Sequence, residues 1–382
     1  MSAVFQSPPR MLWGAGCLAQ AGAECANLGK TALVVAGKAS ARASGVLDQL
    51  EAHLRASGVA CAVHAQIGSD PDFAAAAAGA DLARELGAEV ILALGGGSAL
   101  DAGKAIAALA PAGPGAGLES ISGCPRGAAL PLLASPSTAG SGSEVSRVAV
   151  LVIAEKNLKL ALSGDGLIPA VAILDPDLTL TLPPRLTAIT GLDALTHAME
   201  AYLSPLASPQ TDLLALSAIR RMGSAFLPAV FNGKDQEARA GMLLGQAEAG
   251  LACSNAGAGL IHAMGRPLGL RCALAHGLAC ALLLPAVMEF NRPACEERMA
   301  EMALALGVSG KSSSRRELAG ACIAVLRALL KDSGLPETLG DCGVRQDDLL
   351  PMAEIAAENQ SALLNVRRAG VAQILELYQS CL

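Results

Sequence analysis

The sequence predicts an α/β fold in its first part and an all-helical second part. Short apolar runs alternate with helical patterns in the first half, which is typical of a parallel, doubly wound sheet. Glycine-rich segments follow two of those runs directly. After residue 184 the strand signals fade and long helical patterns continue to the end. With 382 residues, the chain is long enough for two domains, which we place at residues 1–184 and 185–382.

The first part reads as strands and helices in alternation. Strands are predicted at residues 31–36, 59–67 and 89–94, because these runs are apolar and short. Helices are predicted at residues 45–56 and 72–86, and Asp72 is a candidate N-cap. The strand at residues 89–94 is the clearest and runs directly into three glycines.

Two loops of small residues indicate a nucleotide site. Gly96, Gly97 and Ser98 stand between the clearest strand and a helix that continues through Asp101. Such a turn lets the backbone approach a phosphate and offers free N–H groups, although its spacing is neither the Walker nor the common dinucleotide pattern. A second loop, residues 136–144, follows a strand at residues 130–134. Two loops at the carboxyl edge of one sheet favour a Rossmann-like, nucleotide-binding domain.

The remaining elements divide into strands and helices near residues 180–187. Residues 148–153, a stretch around Lys159 and residues 170–174 suggest further strands, with a hairpin among them. Helical patterns cover residues 188–203, 212–225, 235–251, 260–264, 276–290, 296–306, 315–332 and 369–377.

The bulk composition excludes several classes of protein. A net charge of −6 without a basic cluster disfavours nucleic acid as a partner. The apolar runs are too short to span a bilayer and no signal peptide is evident, so we expect a cytoplasmic protein that does not enter membranes. Eleven cysteines without a Cys-x-x-Cys pair favour reduced, buried thiols.

Four residues form a candidate metal site. Asp193 and His197 are four residues apart in a helical segment, so both side chains point the same way. His262 and His276 lie in two further helical stretches. One carboxylate and three imidazoles suit Fe²⁺ or Zn²⁺ better than Mg²⁺ or Ca²⁺. The spacing alone indicates a metal enzyme with a nucleotide and leaves hydrolysis, redox chemistry and elimination open.

Five motifs together resemble the iron-containing (group III) alcohol dehydrogenases. They are Gly-Gly-Gly-Ser-x-x-Asp-x-x-Lys at 95–104, Thr-Ala-Gly-Ser-Gly-Ser-Glu at 138–144, Asp-Pro at 175–176, Gly-Leu-Asp-Ala-Leu-Thr-His at 191–197 and His-Ala-Met-Gly-Arg-Pro-Leu-Gly at 262–269. The resemblance covers about residues 5 to 380. It implies a nucleotide-binding domain, a helical domain and a metal in the cleft between them.

The resemblance also implies roles for individual residues. The family's metal ligands match Asp193, His197, His262 and His276, with iron as the expected metal and zinc as the alternative. The cofactor residues implied or selected from the motifs are Gly37, Gly96, Gly97, Ser98, Asp101, Ser137, Thr138 and Lys159. The implied reaction is reversible oxidation of an alcohol: the metal holds the alcohol oxygen, and a hydride passes from carbon to NAD or NADP. A homodimer is also expected, since dimers are common in that family.

Two positions depart from the family pattern. Many members carry Asp where Gly37 stands, and that Asp would repel the 2′-phosphate of NADP. Gly37, followed by Lys38, Ser40 and Arg42, lacks this repulsion, so we expect NADP to be tolerated or preferred. Arg266 stands where many members have a second histidine. An arginine cannot act as a base near neutral pH, but its charge beside the metal would favour a substrate with an acidic group.

Three other functions are weighed against the dehydrogenase. A 3-dehydroquinate-synthase-like lyase would also use a metal and NAD, but the Asp-x-x-x-His helix fits a dehydrogenase better. A non-redox metal hydrolase has no use for the glycine-rich turns. A binding protein with a decayed site is disfavoured by four intact ligand positions.

Overall fold

A parallel six-stranded sheet forms the centre of the first compact unit, residues 7–181. In this computed structural model, which describes residues 4–38, 45–156, 158–310 and 313–382, the strand order is β1-β8-β5-β4-β2-β3. The strands are β1 (Arg10–Trp13), β2 (Thr31–Gly37), β3 (Ala60–Ile67), β4 (Val90–Gly95), β5 (Leu132–Pro136), β6 (Val148–Ile153), β7 (Leu158–Ser163) and β8 (Val171–Leu174). The predicted α/β fold class is confirmed, including the predicted hairpin, because β6 and β7 pair antiparallel as a separate sheet.

Helices cover both faces of the parallel sheet. They are α1 (Ala21–Leu28), α2 (Val46–Ala56), α3 (Phe73–Leu86) and α4 (Gly97–Ala112). Alternate residues of β2 face opposite cores: Leu33 and Val35 pack with α3 and α4, whereas Ala32 and Val34 pack with α1 and α2. Strands buried on both faces must be apolar throughout, which explains their continuous hydrophobic runs.

The second compact unit, residues 4–6 with Leu182–Leu382, is helical among its described residues. Its helices are α5 (Pro184–Leu203), α6 (Pro209–Phe231), α7 (Gln236–Ala256), α8 (Leu260–Cys272), α9 (His276–Ala305), α10 (Arg315–Asp332), α11 (Gln346–Glu358) and α12 (Val371–Ser380). The two segments predicted at residues 276–290 and 296–306 form one element with a kink at Cys295 (φ −150°, ψ 32°). The division between the units falls between Thr181 and Leu182. The placement of a site between them stays a prediction.

Two helices in the described part of the chain could cross a membrane by length and composition. They are α6 and α9, whose most apolar windows are 44% and 67% buried inside the protein. Both pack against other helices of their unit, and α9 is interrupted by its kink. Because core helices of soluble proteins pass the same test, this is weak evidence for a membrane protein.

Candidate metal centre and nucleotide loops

Helix α5 brings three functional side chains to one face. It begins with proline at its first turn, a position that tolerates the missing N–H, and it is buried along most of its length. Asp193, His197 and Glu200 follow at spacings of four and three residues, which places them on the same side. The predicted orientation of Asp193 and His197 is therefore confirmed by the helix. Glu200 was not predicted as part of the site.

Glu200 organises the start of α8. Its carboxylate accepts hydrogen bonds from the backbone N–H groups of Gly259 (2.8 Å) and Ile261 (2.6 Å). A Cβ atom at Gly259 would lie 2.9 Å from Glu200 Oε1, so this close approach requires glycine. The same carboxylate lies 2.5 Å from His262 Nδ1. Glu200 thus fixes both the helix start and the first imidazole that follows it.

The imidazole of His262 has the orientation expected of a metal ligand. Because Glu200 engages Nδ1, the other ring nitrogen, Nε2, is the one left to bind a cation. Nε2 lies 3.9 Å from Asp193 Oδ1. Both atoms are buried, and neither has a hydrogen-bond partner among the described residues. Two buried polar atoms without partners cost free energy unless a ligand satisfies them, and a cation between them would do so.

Helix α9 adds two side chains to this group: His276 and a residue that the sequence interpretation missed. His276 is the first residue of α9, and Cys280 follows one turn later. One ligand atom each from Asp193, His262, His276 and Cys280 lies within 4.8 Å of the other three. The His-x-x-x-Cys spacing repeats the Asp-x-x-x-His spacing of α5, and that repetition was the available signal for Cys280.

His197 lies beside this group. Its ring stacks on His262, with the centroids 4.4 Å apart and the planes 30° from parallel. The rings of His262 and His276 are 5.3 Å apart. All four predicted ligands are therefore brought together, although His197 is not in the tightest set of four ligand atoms. A carboxylate with three imidazoles fits Fe²⁺ or Zn²⁺ by donor type.

The charges of the site are strongly coupled. Burial alone would raise the pKa of Asp193, but the imidazoles of His197, His276 and His262 hold it below its usual value. Burial likewise opposes a charge on His262, yet Glu200 raises its pKa above the usual value. These contacts therefore favour an ionised carboxylate at Asp193 and a positive charge beside it at His262.

Arg266 lies one turn after His262 on α8. Its Nη1 donates to the side-chain oxygen of Asn359 at 3.4 Å, which is a neutral partner. Burial lowers the pKa of Arg266, and its charge acts on His262, Cys253 and Cys280. The charge of Arg266 therefore lies close enough to act on His262, and its role beside a metal and toward substrates stays a prediction.

The two glycine-rich loops of the α/β unit lie side by side, as predicted. Strands β4 and β5 are parallel neighbours, and Gly95 pairs with Pro136 at their carboxyl ends. A Cβ atom at Gly97 would lie 2.8 Å from Ser141 Oγ, and one at Gly96 would lie 3.4 Å from Thr138. Side chains at these positions would therefore crowd the second loop. The glycines leave the first turn of α4 accessible to a phosphate.

Several predicted cofactor residues also have interactions within the protein. Ser98 donates to the Ser69 carbonyl group, and the Ser137 N–H donates to the Gly95 carbonyl oxygen at 2.8 Å. Lys159 Nζ lies 2.7 Å from Asp70 Oδ1. These contacts place the residues around the loops, and their contact with a cofactor stays a prediction.

Asp101 and Lys104 anchor the hairpin to α4. The Asp101 carboxylate accepts from Ser143 Oγ (2.6 Å) and from the Val150 N–H (3.0 Å). Lys104 Nζ, fully buried, donates to the Val148 carbonyl oxygen at 2.7 Å. Burial raises the pKa of Asp101 and lowers that of Lys104 to about 8. This part of the glycine-rich motif therefore has a structural role, and the cofactor role predicted for Asp101 stays untested.

Gly37 ends β2, as predicted. The backbone N–H of Lys38, which follows it, donates a hydrogen bond to the Ile67 carbonyl oxygen at 3.1 Å. Ser40 and Arg42, which the cofactor prediction also invoked, lie outside the described residues.

Comparison with known proteins assigns the family. Residues 8–176 match the model of the iron-containing alcohol dehydrogenases, and residues 187–382 match the C-terminal model of the same family. The fold and site define a metal-binding protein with a nucleotide-binding type of sheet. The chain belongs to the iron-containing alcohol dehydrogenase family.

Individual relatives cover nearly the whole chain. The probable alcohol dehydrogenase EutG of Salmonella typhimurium is 39% identical over 98% of this chain and 93% of its own length. The NAD-dependent methanol dehydrogenase of Bacillus methanolicus is 31% identical over 99% of both chains. A crystal structure of a 1,3-propanediol oxidoreductase superposes with a TM-score of 0.96 at 33% identity, covering 100% of both chains.

Proposed function

We propose that this protein oxidises alcohols, and reduces the corresponding aldehydes, by hydride exchange with NAD or NADP at a divalent metal held by Asp193, His197, His262 and His276. As a member of its family, the chain is a metal-dependent alcohol dehydrogenase or aldehyde reductase. The observation that carries the site assignment is the pair of buried, unpartnered atoms, Asp193 Oδ1 and His262 Nε2, with Glu200 behind the imidazole.

The metal would supply Lewis acidity, lowering the pKa of the alcohol that it polarises. The protein's own residues do the rest. Glu200 holds the His262 ring so that Nε2 stays pointed at the metal position as the substrate is converted to product. Asp193 contributes the negative charge that balances a divalent cation. Arg266 cannot accept a proton near neutral pH, so proton release would pass through water or the cofactor ribose.

The glycine-rich loops would bind the cofactor. The free N–H groups at the first turn of α4 would take the pyrophosphate, beside Ser137 and Thr138 of the second loop. The end of β2 supports a preference between cofactors. Gly37 presents no carboxylate to the adenosine ribose, so we propose that NADP is tolerated or preferred. Kinetics with both cofactors test this, and an inert NADP would refute it.

Arg266 supports a proposal about the substrate. Its side chain is partly buried, and the hydrogen-bond partner found for it among the described residues is an amide oxygen rather than a carboxylate. A positive charge without a bonded counter-charge attracts an anion. We therefore propose that hydroxy acids, or aldehydes with a sulfonate or phosphonate group, are better substrates than neutral alcohols of the same size.

One preparation can test the assignment against a lyase or a hydrolase. Metal content is measured first, and then the absorbance of reduced nicotinamide is followed with a panel of alcohols and aldehydes, with NAD and with NADP. The proposal predicts metal-dependent turnover of at least one alcohol. Turnover without any change in nicotinamide absorbance would contradict it.

The cellular setting and the oligomeric state are proposed from the sequence. The net charge of −6 without a basic cluster in the sequence supports a protein that does not bind nucleic acid. A cytoplasmic location is proposed with it. A homodimer is proposed from the family resemblance. Sedimentation analysis tests it, with twice 38.3 kDa expected and 38.3 kDa contradicting it.

A further inference from the structure

Cys280 is the one member of the tightest group of ligand atoms that the family's ligand pattern does not contain. Its Sγ atom lies 3.7 Å from His276 Nε2. It also lies within 4.8 Å of the ligand atoms of Asp193 and His262. Cys280 is buried, whereas His276 is partly exposed.

The distances are those of atoms that bind one ion. Zinc binds nitrogen at about 2.0–2.1 Å and sulfur at about 2.3 Å, so two neighbouring ligands lie roughly 3.1 Å apart at a right angle and roughly 3.5 Å apart at a tetrahedral angle. Cys280 Sγ and His276 Nε2 are 3.7 Å apart, just above this range. The sulfur interacts with the Asp193 carboxylate, and it lies near two buried polar atoms that have no hydrogen-bond partner among the described residues, Asp193 Oδ1 and His262 Nε2.

The backbone fixes the sulfur in this position. His276 and Cys280 are one turn apart on α9, so their side chains share a face. Helix α8 passes close by at Gly265, where an added Cβ would lie 3.3 Å from the sulfur and 3.7 Å from the His276 ring. Because Gly265 has no side chain, α8 can approach both the sulfur and the His276 ring closely.

We propose that Cys280 is a fifth protein ligand of the metal and binds it as a thiolate. This rests on the proposed function, because it assumes a metal at the four predicted ligands. On binding, the S–H bond breaks, the proton leaves to solvent and a sulfur–metal bond forms. Five side-chain ligands still leave a position open on an ion that accepts an octahedral set. A soft thiolate would also shift the metal preference from iron toward zinc.

Reconstitution with Co²⁺ tests the proposal without measuring activity. Metal-free wild-type protein is titrated with Co²⁺ alone, and the absorption spectrum and metal stoichiometry are recorded. We expect about one ion per chain and an intense sulfur-to-cobalt charge-transfer band in the near ultraviolet. Cys280→Ser and Cys280→Ala should lose this band while retaining cobalt ligand-field absorption. They should also bind Zn²⁺ at least about tenfold more weakly.

Cys253→Ser is the matched control. The charges of Glu200 and Asp193 raise the pKa of Cys253, so its thiol is close to the site. Cys253 lies outside the group of four ligand atoms, so the band should persist in this variant. Stoichiometric cobalt without a thiolate band in the wild type would overturn the role of Cys280 and leave the proposed function standing. A band that persists in Cys280→Ser would also overturn it. Failure of the wild type to bind cobalt would refute the metal site itself.

Discussion

At the scale of single residues, Glu200 holds the geometry of the proposed metal site. One carboxylate receives two backbone N–H groups and engages the Nδ1 atom of His262. No sequence pattern marked this residue, because its partners lie about sixty positions away along the chain. The sequence shows a glutamate at position 200 in a helical pattern, but it does not show that Glu200 contacts His262.

Replacing Glu200 should weaken metal binding. Glu200→Gln keeps the shape but removes the charge that orients His262, and changes of this kind lower metal affinity about 10–100-fold. Affinity is measured by competition with a chelator. Glu248→Gln, which removes a carboxylate paired with the partly exposed Arg221 on neighbouring helices, should leave the affinity unchanged. Equal affinities in wild type and Glu200→Gln would show that the metal does not use this site.

Arg266 carries the prediction on substrate choice. A hydrogen bond to a charged group contributes about 1.5–3 kcal/mol, so Arg266→Ala should lower kcat/KM for an anionic aldehyde about tenfold or more. The value for a neutral aldehyde of equal size should change much less. The measurement is the ratio of the two constants in each variant. An unchanged ratio would assign Arg266 to contacts such as Asn359 alone.

At the scale of elements, much of the fold could be predicted because the signals are local. Helix α10 begins and ends at the predicted residues, and Asp72 caps α3 through a hydrogen bond of 3.2 Å from the Ala74 N–H. Strand β1 was missed because its four residues, which follow two prolines, are too few to show the alternation of apolar and polar residues that marks a strand. Helix α11 was missed because Pro351 lies inside it, and proline usually ends a helix.

The same distinction applies to the site. Asp193 and His197 could be predicted because a single helical turn links them. His262 and His276 followed from the scarcity of histidines and from the family resemblance. For Cys280 the sequence offers one signal, its place one helical turn after His276, but only the packing of α8 against α9 brings its sulfur to the ligand atoms of His262 and Asp193.

The contact between the glycine-rich loops can be tested by a paired substitution. Gly97→Ala should weaken cofactor binding, because its Cβ would lie 2.8 Å from Ser141 Oγ and would push the second loop away. Ser141→Gly, added to Gly97→Ala, removes the clashing atoms and should restore part of the affinity. Calorimetric titration with NAD and NADP measures both. Unchanged binding in Gly97→Ala would place the cofactor away from this turn.

At the scale of the whole molecule, buried thiols determine how stability responds to alkaline pH. Burial raises the pKa of Cys17, Cys253 and Cys322 to about 12, and that of Cys25, Cys295 and Cys381 to about 11. Above the ordinary value of 9.0 the unfolded chain loses these protons first. The stabilisation is therefore complete below about pH 9 and is lost as the pH rises toward 11–12.

One buried cation acts in the opposite direction. Lys104, with its pKa lowered to about 8, makes folding more favourable as the pH rises from there toward 10.5. All eleven thiols have raised pKa values and oppose this one amine, so we expect the urea midpoint under reducing conditions to fall above about pH 9. Above about pH 9 the urea midpoint should fall less steeply with pH in Cys322→Ala than in the wild type. A midpoint that stays level or rises through this range would contradict the account.

The central claim is that this family member works through a metal at Asp193, His197, His262 and His276. The most direct measurement follows alcohol-dependent formation of reduced nicotinamide as a function of bound metal in one preparation. After chelation the rate should fall in proportion to the metal removed, and it should return when Fe²⁺ or Zn²⁺ is restored to about one ion per chain. A metal-free protein that oxidises the same alcohol at the full rate would contradict it.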